Sequence, residues 1–169
     1  MNFDTKHILR WGIPGWYFIL NLTIAVSAIV GYEWMVNGQF IVPTIIITLM
    51  GVPLGYILHQ PYFFISNIFA NNTTVKWNLY LVNEDKDRRD FLSQRYAYLL
   101  TVIHGYGSLL SSIFISIISV FIISTINGTM DTEIRWLLVI NLVLSIFVFT
   151  NFMYYQKSFS KFIRSILYK

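Results

Sequence analysis

Four stretches of the chain run without Asp, Glu, Lys or Arg: 11–32, 34–75, 96–130 and 136–156, of 22, 42, 35 and 21 residues. An α-helix needs about 20 consecutive apolar residues to cross bilayer hydrocarbon. The first and last stretches therefore fit one crossing each, at 13–32 and 136–156. The third holds one, over 97–126. The second has length enough for two, but residues 66–74 read SNIFANNTT, which is too polar for hydrocarbon. One span is placed there, at 40–65. The expected fold is all-α, a polytopic membrane protein with four transmembrane helices in a single membrane domain over 1–169. Residues 66–96 form a small cytoplasmic segment between helices 2 and 3.

Lys and Arg set the orientation of such a chain. Lys6 and Arg10 precede the first span. Lys76, Lys86, Arg88, Arg89 and Arg95 lie between the second and third, and Lys157, Lys161, Arg164 and Lys169 follow the fourth. The two short turns carry only Arg135. Eleven of the twelve basic residues thus fall on one side, which predicts an N-in/C-in topology. The start of the chain mimics a signal peptide, with basic residues, an apolar run and Val26-Ser27-Ala28. It is expected to be kept as a first span.

Local signals add detail. Trp11, Trp16 and Tyr17 fit a headgroup-level aromatic belt. Gly12, Pro14 and Gly15 predict a bend where the chain enters the bilayer. Pro43 and Pro53, with Gly51 and Gly55, make the second span the one to kink. In the middle segment, Val75, Trp77, Leu79 and Leu81 alternate with polar residues, as in a short strand or interfacial ribbon. Asn83 is placed to cap a helix with acids in its first turn. That helix would run unbroken into the third span, as an extension of about 65 Å in total.

Composition agrees with this pattern. Of 169 residues, 56% are hydrophobic, 18% aromatic and 12% charged, with a mean hydropathy of +0.59. A soluble domain carries about 25% charged residues. An ordinary soluble fold and a disordered chain are both excluded. The net charge of +4 is read as a topology signal and a contact with anionic lipid, not as a nucleic-acid patch. The absence of Cys removes disulfides, thiolate metal sites and cysteine nucleophiles.

Two polar stripes run inside the spans. Thr44, Thr48, Gly51, Gly55 and His59 share one face of the second helix. Thr101, His104, Ser108, Ser112 and Ser116 share one face of the third, with Ser111 and Ser119 alongside. Thr23, Ser27 and Gly31, and Asn141 with Ser145, form shorter rows. Small and hydroxylated residues let helices approach closely in lipid. The same stripe would also serve as a hydrophilic lining in an oligomer. The candidate gating or lining residues are His59, His104, Ser108, Ser112, Ser116, Thr48 and Gly51. His59 and His104 are expected at similar depth, and ionisable groups at such positions carry function or structural hydrogen bonds. Two histidines without a third ligand do not predict a metal site.

All eight acidic residues lie outside the predicted spans. A carboxylate near the midplane, as in proton- or cation-coupled transporters, is therefore missing. No phosphate loop, metalloprotease motif or dinucleotide fingerprint occurs, and no cofactor is implied. The expected function is non-enzymatic: an oligomeric effector or pore-type protein of the bacterial cytoplasmic membrane, of the defence or toxin kind. Control would come through its cytoplasmic face, where Lys86, Arg88, Arg89 and Arg95 are the candidate contacts for a protein partner. The alternatives are a membrane anchor or accessory subunit, and a small transporter using the two histidines.

Overall fold

The computed structural model describes residues 8–31, 41–69, 85–128 and 130–167. Every regular element among them is helical. A π-helical turn, Ile8–Gly12, leads directly into α1, Ile13–Val30. α2 spans Ile41–Phe69, α3 Lys86–Asn127 and α4 Thr132–Leu167. Three segments are long and apolar enough to cross a membrane: Arg10–Val30, Lys86–Asn127 and Thr132–Ile166. The ribbon expected over 75–81 and the cap expected at Asn83 lie outside the described residues. α3 is capped by Asp85, whose side chain makes no cap bond. Arg89 N–H donates to the Asp85 carbonyl at 2.8 Å.

The helix ends follow from local chemistry. Pro14 sits in the first turn of α1, where its missing N–H is tolerated. α2 continues through Pro53 and Pro61 as one helix. α3 stops at Gly128, whose φ of +66° is left-handed, and its N–H returns to the carbonyls of Ser124 and Thr125. The turn then enters α4 through Met130 and Asp131, and Arg135 Nε donates to the Met130 carbonyl at 2.9 Å.

α1 and α3 form the centre, with α2 on one flank and α4 on the other. α1 runs parallel to α3: Arg10 meets Ser108, and Pro14 meets Ser112. The sequential pairs α1–α2 and α3–α4 are antiparallel. Ala25, Val120, Ile134 and Leu137 form a core where α1 ends, flanked by Ile24, Ala28, Ile29 and Leu138. Around the bundle, Leu49, Phe64, Phe121, Ile126, Trp136 and Phe147 are exposed. An apolar girdle of this kind suits lipid rather than water.

Aromatic residues mark one boundary of that girdle. Tyr106 stacks on Tyr155 at 5.5 Å, and Tyr154 meets Tyr155 edge-on at 5.4 Å. Counted from the turn between α3 and α4, these tyrosines lie about 30 Å along their helices, which is the thickness of bilayer hydrocarbon. Both helices continue past this level. Leu92 and Ile163 are buried against each other there, with Tyr96, Phe159, Phe162 and Ile166 around them. The helical hairpin thus projects about 20–30 Å beyond the membrane-length part on the α3 side.

Candidate functional site

Pro14 has no N–H, so it offers no α-helical donor to the carbonyl of Arg10, four residues earlier. The expected bend at Gly12–Gly15 takes the form of the π turn that ends at this point. α3 supplies what is missing. Ser108 Oγ donates to the Arg10 carbonyl at 2.7 Å, and Ser112 Oγ donates to the Pro14 carbonyl at 2.6 Å. Ser108, Ser112 and Ser116 are each 0% exposed. Ser116 Oγ continues the row without a partner. The hydroxyl stripe is therefore a closed seam between α3 and the start of α1. In this arrangement Ser108 and Ser112 face backbone carbonyls of the segment entering α1.

The small-residue face of α2 closes on the same segment. A Cβ on Gly15 would collide with the Gly51 carbonyl, and one on Gly55 with the Trp11 carbonyl. A Cβ on Gly51 would enter the Trp16 ring, whose Nε1 donates to the Thr48 carbonyl at 2.9 Å. Thr48 contributes its backbone, while its side chain belongs to an exposed residue. Close approach of backbones in lipid depends on such small residues.

At the aromatic boundary, α2 and α3 bring the two histidines together. Their ring centroids are 6.0 Å apart at an interplanar angle of 78°. Tyr62 lies 5.6 Å from each of them, over Gly107, where a Cβ would strike its ring. Tyr62 also touches Phe152 of α4 at 6.0 Å. His59 is 7% exposed. Neither histidine Nδ1 has a hydrogen-bond partner, and the same holds for the buried Nε of Arg10. Arg10 reaches the same level, its carbonyl meeting Ser108 one turn from His104. Arg10 thus joins the two histidines as an ionisable group within a membrane-length segment. Its place was hidden in the sequence because it served as the boundary of the first charge-free stretch. Tyr62 follows His59 by three residues and shares its face, which was the available signal.

A second polar cluster lies deeper. Asn141 is 1% exposed and Asn21 3%. Asn141 Nδ2 donates to Asn21 Oδ1 at 2.6 Å and to the Leu137 carbonyl at 2.7 Å. Asn141 Oδ1 accepts from the Tyr17 hydroxyl, and Asn21 Nδ2 donates to the Tyr17 carbonyl at 2.9 Å. This network ties α1 to α4. Only Asn141 stood out in the sequence.

Lys86, Arg88, Arg89 and Arg95 are exposed on the projecting part of α3. Lys157, Lys161 and Arg164 are exposed on the facing part of α4. These cations are separate from the histidine cluster. No group of three or more His, Cys, Asp or Glu among the described residues is placed to hold a metal ion. No family model matches the chain, and no characterised protein or solved structure matches it either.

Proposed function

We propose that the chain is a four-span, N-in/C-in membrane protein that works as a homo-oligomer in a bacterial cytoplasmic membrane. α2, with 29 residues, is read as the fourth span. The function is non-enzymatic: the protein perturbs the membrane when its hydroxyl seam opens. The observation that carries this reading is the seam of Ser108, Ser112 and Ser116, held shut by the carbonyls of Arg10 and Pro14. Hydrogen bonds between membrane helices contribute about 0.6–2 kcal/mol each. A few such bonds can be exchanged for water and partner contacts by a modest input of binding free energy. The exposed cations of the projecting hairpin are where a cytoplasmic partner would supply it.

The test is ion efflux from liposomes holding the purified full chain. Ser108→Ala with Ser112→Ala weakens the seam without adding bulk, so efflux should rise over the wild type. Ser112→Leu replaces a lining hydroxyl by hydrocarbon, so efflux should fall. Liposomes that stay tight with all three proteins would overturn the reading.

A second reading rests on the hairpin built on Leu92 and Ile163, whose exposed surface is rich in Lys and Arg. In it the chain is a membrane anchor or accessory subunit, and the seams serve packing alone. Affinity purification of the full chain separates the two. A stoichiometric acidic partner together with tight liposomes favours the anchor.

A further inference from the structure

The cluster of Arg10, His59, Tyr62 and His104 has an electrostatic imbalance. A guanidinium is ionised under all ordinary conditions. Placing it partly inside a protein, next to two imidazoles, is unfavourable without an opposite charge. No Asp or Glu of the described residues pairs with Arg10. Asp85, Asp87 and Asp90 sit at the far end of the projecting hairpin, and Asp131 and Glu133 at the opposite end of the bundle. The Arg10 side chain is only partly buried, while its Nε and both histidine Nδ1 atoms are buried without partners. His59 itself is more than nine-tenths buried. These are nitrogen groups suited to an oxyanion, and no carboxylate among the described residues is placed to fill that role.

The depth of the cluster says which oxyanion. Arg10 meets α3 at Ser108, and His104 lies one turn further from the α3–α4 turn. Both stand about 30–35 Å along α3 from that turn, where bilayer hydrocarbon gives way to headgroups. The tyrosines 106, 154 and 155 stack at the same level. Trp11 meets Tyr56 edge-on at 5.3 Å beside them. We propose that Arg10, His59 and His104 form a site for a phosphate oxyanion at this boundary. Arg10 would supply the charge and a planar pair of donors, the geometry that suits phosphate. Each imidazole adds one N–H in its neutral form, so the site does not need protonated histidine. Tyr62 packs against both rings, 5.6 Å from each, and buttresses them at this spacing. The site does not depend on whether the hydroxyl seam opens.

The ligand is read by native mass spectrometry of the full chain from detergent. The chain is offered an equal mixture of phosphatidylglycerol and a galactolipid without phosphate, carrying the same acyl chains. The wild type should retain the phospholipid preferentially, and Arg10→Gln should lower its occupancy at least tenfold. Lys157→Gln with Lys161→Gln and Arg164→Gln, on the exposed hairpin, should leave retention unchanged. His59→Gln with His104→Gln is the second variant, used where circular dichroism shows that Arg10→Gln has lost helix. It should lower retention several-fold. A separate arm titrates inorganic phosphate into lipid-stripped protein and follows thermal unfolding. Stabilisation by inorganic phosphate that disappears in Arg10→Gln identifies a free phosphate compound as the ligand. Retention of phospholipid with no effect of inorganic phosphate identifies a lipid headgroup. Either supports the site. Equal phospholipid retention by the wild type and both folded variants, with no phosphate stabilisation, overturns it. So does a loss caused by the hairpin variant as large as that caused by Arg10→Gln.

Discussion

Ser108 Oγ lies 2.7 Å from the carbonyl oxygen of Arg10, the oxygen to which Pro14, four residues on, offers no amide donor. A side chain on α3 thus completes the hydrogen bonding of the segment that enters α1. The relationship is specific enough to test by a double-mutant cycle. Ser108→Ala removes the donor and should destabilise the protein by about 1 kcal/mol. Pro14→Ala restores an N–H that can reach the same carbonyl. In the Pro14→Ala background, Ser108→Ala should therefore cost clearly less. Reversible unfolding in mixed detergent micelles measures both. Equal costs in the two backgrounds would mean that Ser108 does not serve the carbonyl freed by Pro14.

The glycines make a graded prediction. A Cβ on Gly55 meets the Trp11 backbone first, while one on Gly51 meets the Trp16 side chain first. A side chain can rotate away and a backbone carbonyl cannot. Gly55→Ala should cost at the upper end of the roughly 1–3 kcal/mol seen for overpacking, and Gly51→Ala at the lower end. Gly128 has open space around it but a φ of +66°. Gly128→Ala should cost about 1 kcal/mol from backbone strain alone. Thermal midpoints of the three variants in one detergent give the ranking. A Gly51→Ala variant less stable than Gly55→Ala would contradict the packing at Trp16.

These glycines also show what the sequence could say. Gly51 and Gly55 lie on one helical face, and that period is readable without a structure. So are the helical character and the three membrane-length segments, since both follow from charge-free length. The partner of each face is a different matter. Gly51 meets Trp16 and Ser108 meets Arg10 through the relative depth of separate helices, which no local pattern encodes. Arg10 was read as a flank because its charge ends an apolar run, yet its carbonyl meets Ser108, one turn from His104. Tyr17 was read with Trp11 and Trp16 as an interfacial belt and Asn21 drew no reading; only the packing of α1 on α4 joins them to Asn141. The end of the fourth span, at 156, was set by Lys157. Phe159, Phe162, Ile163 and Ile166 already carried helical spacing beyond it, but their partner face on α3 was not apparent.

The asparagine network should behave as one unit. Asn141→Ala leaves the Tyr17 hydroxyl and Asn21 Oδ1 without their bonds. Asn21→Ala removes one of the same bonds from the other side. The two losses overlap, so the double variant should be more stable than the sum by about 1 kcal/mol. Unfolding free energies of the four proteins in the cycle supply the coupling. Strict additivity would mean that the two amides do not interact.

The projecting hairpin gives the last prediction, and it decides whether residues after the fourth apolar stretch belong to the fold. Leu92 is 7% exposed and Ile163 4%, and each is buried chiefly by the other and its neighbours. The chain has no native Cys, so an introduced pair is the only thiol chemistry present. In Leu92→Cys with Ile163→Cys, the two thiols belong to one buried cluster once the hairpin is formed, and a disulfide between them is expected. Mild oxidation should protect both from a maleimide polymer, and reduction should restore labelling. Each single cysteine should label to the same extent before and after oxidation. Full labelling of the oxidised pair would mean that the end of α4 does not dock on α3. The exposed cations of the hairpin would then have no fixed surface on which to present themselves to a partner.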